Sequence, residues 1–234
     1  MKSLLFLASW LVLSLNIAFA QDSATELYQA AKSHAAAGEL EAALDALEQA
    51  AASGFRGLPR LRADSEFDAL RENDRFARVL LSVRRNVFPC EEGAHYGDFD
   101  FWVGNWDVFS SDGNKAGTNR ITTVENGCVL QELWTGASGI TGRSLNFYDP
   151  NKDKWRQHWV SPTGTLIDIE GGLVDGSMVL AGSIFYTGTG QEANFRGTWT
   201  LLDDGRVRQF FEQHDADGDA WNPWFEGFYV RAED

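Results

Sequence analysis

From Asp98 to the end of the chain, apolar and polar residues alternate, and short turn sequences interrupt the alternation at close intervals. The turns are SDGN (111–114), ENG (125–127), DPNKDK (149–154), SPTG (161–164), VDG (174–176), GTGQ (188–191), LDDG (202–205) and DADGD (215–219). A period of two marks a half-buried strand, because successive side chains point to opposite faces. Asp-Gly and Asn-Gly supply the positive φ that two-residue hairpin turns require. About ten strands, each of roughly 7 to 11 residues, lie between these turns. No helical pattern interrupts them, so they must stack as two sheets or close on themselves, and closure removes the exposed edges. The predicted fold is mainly β: a roughly ten-stranded antiparallel up-and-down barrel.

Ahead of the barrel the periodicity is helical. In ELYQAAKSHAAAGELEAALDALEQAAASGF the apolar residues fall at helical spacing, and Gly38 breaks the run into a hairpin. Small residues such as Ala31, Gly38, Ala43 and Ala50 let two antiparallel helices approach closely. Two shorter helices are predicted to follow. Asp64 or Ser65 caps one that buries Phe67 and Leu70, and Asn73 or Asp74 caps one that buries Phe76, Val79 and Leu80. A lone hairpin of this kind cannot bury its apolar face by itself. It must pack on the barrel, on a second copy or on another protein, so residues 24–83 are the candidate surface for a homodimer or a protein partner.

The first twenty residues read as a secretory leader. Lys2 precedes an apolar run from Leu4 to Ala18, and Ala18-Phe19-Ala20 offers a cleavage site before Gln21. The run is shorter than the roughly 20 apolar residues a membrane span needs. The predicted organisation is therefore a leader at 1–20, a helical region at 21–89 and a barrel domain at 90–234, in a periplasmic or secreted protein without a membrane segment after cleavage. Charge sharpens this. Residues 90–234 hold 23 acidic and 10 basic side chains, so most of the net −14 lies there. Such a surface repels nucleic acid and anionic lipid, whose binding rests on Lys and Arg. Two cysteines follow the leader, Cys90 and Cys128, and an oxidising compartment makes a disulfide between them plausible. It would close a loop of about 37 residues and stabilise the fold by roughly 3–4 kcal/mol. Two separate buried thiols are the alternative.

The barrel opens with FDFWVGNWDV, residues 99–108, in which Gly104-Asn105-Trp106 resembles the G-x-W pattern of the first strand in lipocalins and their calycin relatives. That resemblance implies that Trp106 sits in the barrel floor, capped by an Arg of the last strand, here Arg231, with residues 99–102 plugging the end. GRSLNFYDP, KWRQHWV, DGRVRQFFEQ and FEGFYVR are similar to segments of a group of bacterial secreted β-barrel proteins, some of which carry a tetratricopeptide-like hairpin in front. Ala31, Gly38, Leu40, Ala43, Leu47 and Ala50 resemble one such repeat. The likeness covers nearly all of 96–231 and implies a lipocalin-like or nitrobindin-like barrel, with no activity attached. Nitrobindins hold haem through a strand histidine. His158 and His214 are the strand histidines here, and their flanks do not match, so no cofactor is implied.

Candidate chemistry turns on which strand faces point inward, and a single bulge inverts that. With polar faces inside, Glu132, Arg143, Arg156, His158, Arg196, Arg208 and Glu212 would converge on a polar ligand, Arg offering bidentate contacts. Glu132, His158 and Glu212 would then be the candidates for acid–base chemistry. With aromatic faces inside, Trp106, Trp134, Trp159, Trp199 and Phe211 would line a pocket for an apolar ligand. Core filling and cross-strand ion pairs account for the same two sets without function. Metal binding is not indicated. Asp215, Asp217, Asp219 and Glu226 space like a calcium loop, but Ala220 stands where that loop needs Gly. An exported barrel binding a small, partly apolar ligand is the leading expectation, ahead of a barrel isomerase, cyclase or hydrolase.

Overall fold

The computed structural model describes residues 23–233, and the leader expected at 1–20 lies outside them. The chain forms two compact units that part between Pro89 and Cys90.

In the first unit, helix α1 (23–36) and helix α2 (Leu40–Ala52) form the expected hairpin, turning at Gly38 with φ +78°. The segment after it covers its apolar face: α3 (Leu58–Ala63), a 3₁₀ helix at Ser65–Leu70, and α4 (Asp74–Val87). Tyr28, Leu44, Leu47, Phe55, Phe67 and Phe76 share one core, with Tyr28 stacked on Phe55 at 4.4 Å between ring centroids. Asn73 caps α4 by accepting from the Arg75 backbone N–H. The premise that this hairpin must find cover outside residues 24–83 does not hold. Helix α3 carries no periodic signal in the sequence because it is only 6 residues long with Pro59 in its first turn.

The second unit is a closed barrel of ten antiparallel strands, as the alternation predicts. They are β1 (Gly104–Phe109), β2 (Lys115–Val124), β3 (Val129–Gly136), β4 (Thr141–Asp149) and β5 (Lys154–Val160). They continue as β6 (Thr165–Val174), β7 (Ser177–Tyr186), β8 (Gln191–Leu201), β9 (Val207–Asp215) and β10 (Ala220–Arg231). Each strand pairs with the next, and β1 pairs with β10, Trp106 opposite Arg231. The β6–β7 turn shows the local cause. Asp175 and Gly176 adopt φ +49° and +80°, the doubly left-handed geometry that matches the twist of a two-residue hairpin. Cys90 and Cys128 are joined in a disulfide, which fastens the segment before the barrel to the start of β3.

The end where β1 begins and β10 finishes is a packed floor. A 3₁₀ turn, Asp100–Trp102, enters the lumen there and stacks Trp102 on Phe99 at 5.0 Å. The Trp106 indole Nε1 donates to the Trp102 carbonyl at 2.9 Å. The Arg231 guanidinium lies 3.9 Å from the Trp106 ring centroid, and its Nη1 donates to the Val103 carbonyl at 2.7 Å. Trp199 completes this layer from β8, 5.6 Å from Trp102 and 5.2 Å from Phe99.

Candidate functional site

Above the floor a belt of polar side chains crosses the lumen. Asn119 (β2), Glu132 (β3), Ser144 and Asn146 (β4), Gln157 (β5) and Gln209 (β9) all point inward and are buried. Glu132 is the one carboxyl among them, 4% exposed. Its Oε1 accepts from Asn119 Nδ2 at 2.7 Å and its Oε2 from Ser144 Oγ at 2.6 Å. Asn119 Nδ2 also donates to the Tyr229 hydroxyl at 3.1 Å, and that hydroxyl donates to Gln209 Oε1. Asn146 Nδ2 donates to Ser144 Oγ at 2.8 Å and to the Leu130 carbonyl at 3.0 Å, while Gln157 Nε2 donates to Asn146 Oδ1 at 2.8 Å. Burial pushes the Glu132 carboxyl above the usual carboxylate range, against the two hydrogen bonds that favour its charged form. Burial likewise raises the Tyr229 phenol, helped by the negative charge of Glu132.

Between this belt and the opposite rim lies a cavity of about 70 Å³, with Glu132, Gln209 and Tyr229 beneath it and aromatic rings around it. The walls are Trp134, Trp159, Phe211, Trp224 and Phe225. Three of these five rings leave the middle of the lumen clear because each lies against a glycine of the adjacent strand. A Cβ built on Gly142 would stand 2.2 Å from Trp159 Cζ2, on Gly197 2.4 Å from Phe211 Cε1, and on Gly117 2.8 Å from Trp134 Cη2. The missing side chains form troughs into which the rings fold flat along the wall.

The remaining two rings come from a bulge. The β9–β10 register slips between Pro223 and Phe225, so Trp224 is an extra residue in β10. A bulge re-aims side chains, and Pro is tolerated in a strand at such a place. Consecutive residues thereby both face the lumen. Phe225 meets Trp134 edge-on at 6.0 Å, and Trp224 meets Phe195 at 5.4 Å and Phe211 at 6.1 Å. Trp224 stays 40% exposed at the rim, where its Nε1 donates to the Tyr186 hydroxyl at 3.0 Å. That hydroxyl donates to Gln213 Oε1 at 2.6 Å.

Of the candidates read from the sequence, Glu132, Trp134, Trp159 and Phe211 come together at this cavity. Trp106 and Trp199 face inward too, but in the packed floor, so they are core and not lining. The arginines face outward. Arg196 holds Glu212 through two hydrogen bonds of 2.6 and 2.9 Å and lies over the Trp221 ring. Arg208 pairs with Glu226 at 2.6 Å, Arg156 lies 3.5 Å from Asp168, and Arg143 is exposed on the outer face of β4. His158 is outside as well, 3.3 Å from Asp168 and stacked on Phe147. The convergence of Glu132, His158, Glu212 and the arginines on one cavity is therefore corrected. The barrel wall separates Glu132 from His158 and Glu212, which leaves no acid–base pair among them. The cause is strand phase: Glu132 shares the inward face of β3 with Leu130 and Trp134.

Asn119, Ser144, Gln209, Tyr229, Trp224 and Phe225 were not singled out from the sequence. Gln157 and Gln209 do alternate with aromatic residues on their strands, and Pro223 inside a strand run signals a bulge. Among the described residues no group of three or more His, Cys, Asp or Glu is placed to hold a metal ion, and no helix is long and apolar enough to cross a membrane. No protein-family model matches the chain, and no curated protein is significantly similar to it.

Proposed function

We propose that the protein is an exported binding barrel that takes a small, partly apolar ligand through its rim into the aromatic cavity above Glu132. The observation that carries this reading is the folding of Trp134, Trp159 and Phe211 onto glycines, which keeps the middle of the lumen clear. Ligand sites combine apolar walls with a few placed polar groups, and here the walls are rings and the polar groups are the belt. Trp224 at the rim is positioned to cover a bound molecule. Export is supported by the leader pattern and by the Cys90–Cys128 disulfide. The Arg231–Trp106 stack at the floor supports kinship with calycin barrels.

Native mass spectrometry of the full chain purified from its own host tests this reading. A non-covalent added mass is expected on the wild type and not on Gly142→Val, whose side chain drives the Trp159 ring into the lumen. Two bare, folded barrels, together with no quenching of Trp fluorescence by small apolar compounds, would overturn it.

A further inference from the structure

We infer that the ligand group held at the bottom of this cavity is a protonated amine nitrogen, carried on a small apolar body. This rests on the binding reading above and names the ligand class for the same site. The first support is charge. Among the described residues Glu132 is the one ionisable carboxyl lining the cavity and no Lys, Arg or His lines it, while Arg143, Arg156, Arg196 and Arg208 face the other side of the wall. An anion entering here would meet a carboxyl and no cation.

The second support is the balance of donors and acceptors. A carboxylate offers about four acceptor sites, and Glu132 uses one bond from Asn119 and one from Ser144. Both amide hydrogens of Asn119 are committed, to Glu132 and to Tyr229, while its own Oδ1 is buried without a partner. Gln157 Oε1, in the same belt, is also buried without one. The Ser144 hydroxyl, the Asn146 amide and the Tyr229 hydroxyl already donate within the belt. Two acceptors of the belt, Asn119 Oδ1 and Gln157 Oε1, are thus left without a donor.

The third support is the wall. Trp faces attract cations, more strongly once water is excluded, and Trp134, Trp159 and Trp224 ring the space above the carboxyl. A volume of about 70 Å³ is roughly two waters' share of liquid. It suits an ammonium with its adjoining carbons, leaving the rest of the molecule against Trp224 at the rim. The acidic excess of residues 90–234 draws cations toward the domain from a distance.

Binding is coupled to a proton. Burial makes the Glu132 carboxyl hold a proton more tightly than in water. An arriving ammonium favours the charged form, so the share of that proton held before binding leaves to solvent and an ammonium–carboxylate pair remains. The groups facing Glu132 are uncharged Asn119 from β2, Ser144 from β4 and Gln209 from β9, with Tyr229 from β10 the other titratable one.

Isothermal titration of the full chain with benzylammonium, benzyl alcohol and benzoate decides it. Benzylammonium is expected to bind at least about tenfold tighter than benzyl alcohol, through the charge-assisted bonds and the ring faces. Benzoate is expected to give no heat. Heats measured in buffers of unlike ionisation enthalpy are expected to show proton release with the amine alone. Glu132→Gln should remove the preference for benzylammonium over benzyl alcohol, with its far-ultraviolet circular dichroism spectrum showing that the variant is folded. If benzyl alcohol or benzoate binds the wild type as tightly as benzylammonium, the amine class is overturned while the binding reading survives. If none of the three binds, the inference fails, and an empty barrel in native mass spectrometry would take the binding reading with it.

Discussion

At the floor of the barrel Trp102 and Trp106 are 0% and 1% exposed and face other rings, whereas toward the rim Trp134 and Trp159 are half-buried and Trp224 is 40% exposed. Both ends are built from tryptophan and phenylalanine, and composition alone cannot separate them. What separates them is the opposing residue. Floor rings meet each other: Trp102 packs on Phe99 and Trp199, and Phe99 on Trp199. Rim-side rings meet glycines of neighbouring strands and, below, a hydrogen-bonded belt that spans the lumen. Aromatic residues close one end and furnish the other.

The sharpest way to break this contrast is to truncate one ring from each end. Trp102→Ala is expected to lose about 3–5 kcal/mol, because the packed floor cannot collapse around the gap. Trp159→Ala, half in solvent and beside existing space, is expected to lose about 1–2 kcal/mol on the same ground. Chemical denaturation followed by far-ultraviolet circular dichroism measures both. Equal losses would mean that the rim-side rings are core like the others.

A smaller effect is expected from the belt. Burial holds the folded Glu132 carboxyl above its unfolded value, so the folded state binds that proton more tightly. Its contribution to stability is therefore greatest below the unfolded carboxylate range and is lost as pH rises from there through the raised folded value. Glu132→Gln keeps the shape and removes the titration. Melting temperatures across the acid-to-neutral range should decline with pH more in the wild type than in the variant, and parallel curves would contradict the assignment. The smallest effect belongs to the outer wall. Arg196→Ala breaks the pair with Glu212 on a partly exposed face and should change stability by at most about 1 kcal/mol, with ligand binding unaltered. A binding defect there would place function on the wrong side of the wall.

Much of the architecture was legible in the sequence because strand period and turn chemistry are local. Asp175-Gly176 and the alternation of Trp155, Gln157 and Trp159 each required only neighbouring residues to be read, while the Cys90–Cys128 pairing followed from an even count and the leader. The cavity was legible in part. Which face of β3 carries Glu132 inward depends on registry around the closed ring, and the pairing of Trp159 with Gly142 depends on the strand beside it. Trp224 and Phe225 both face the lumen only because the ladder slips at Pro223. Helix α3, 6 residues beginning at Leu58-Pro59, has too few positions for a period to show.

The most direct measurement is a nuclear magnetic resonance titration of the tryptophan indole N–H signals with benzylammonium. The signals of Trp134, Trp159 and Trp224 are expected to shift with a common saturation, while those of Trp102, Trp106 and Trp199 stay in place. Equal movement of the floor indoles, or movement confined to Trp221 on the outer wall, would contradict a ligand site between the polar belt and the rim.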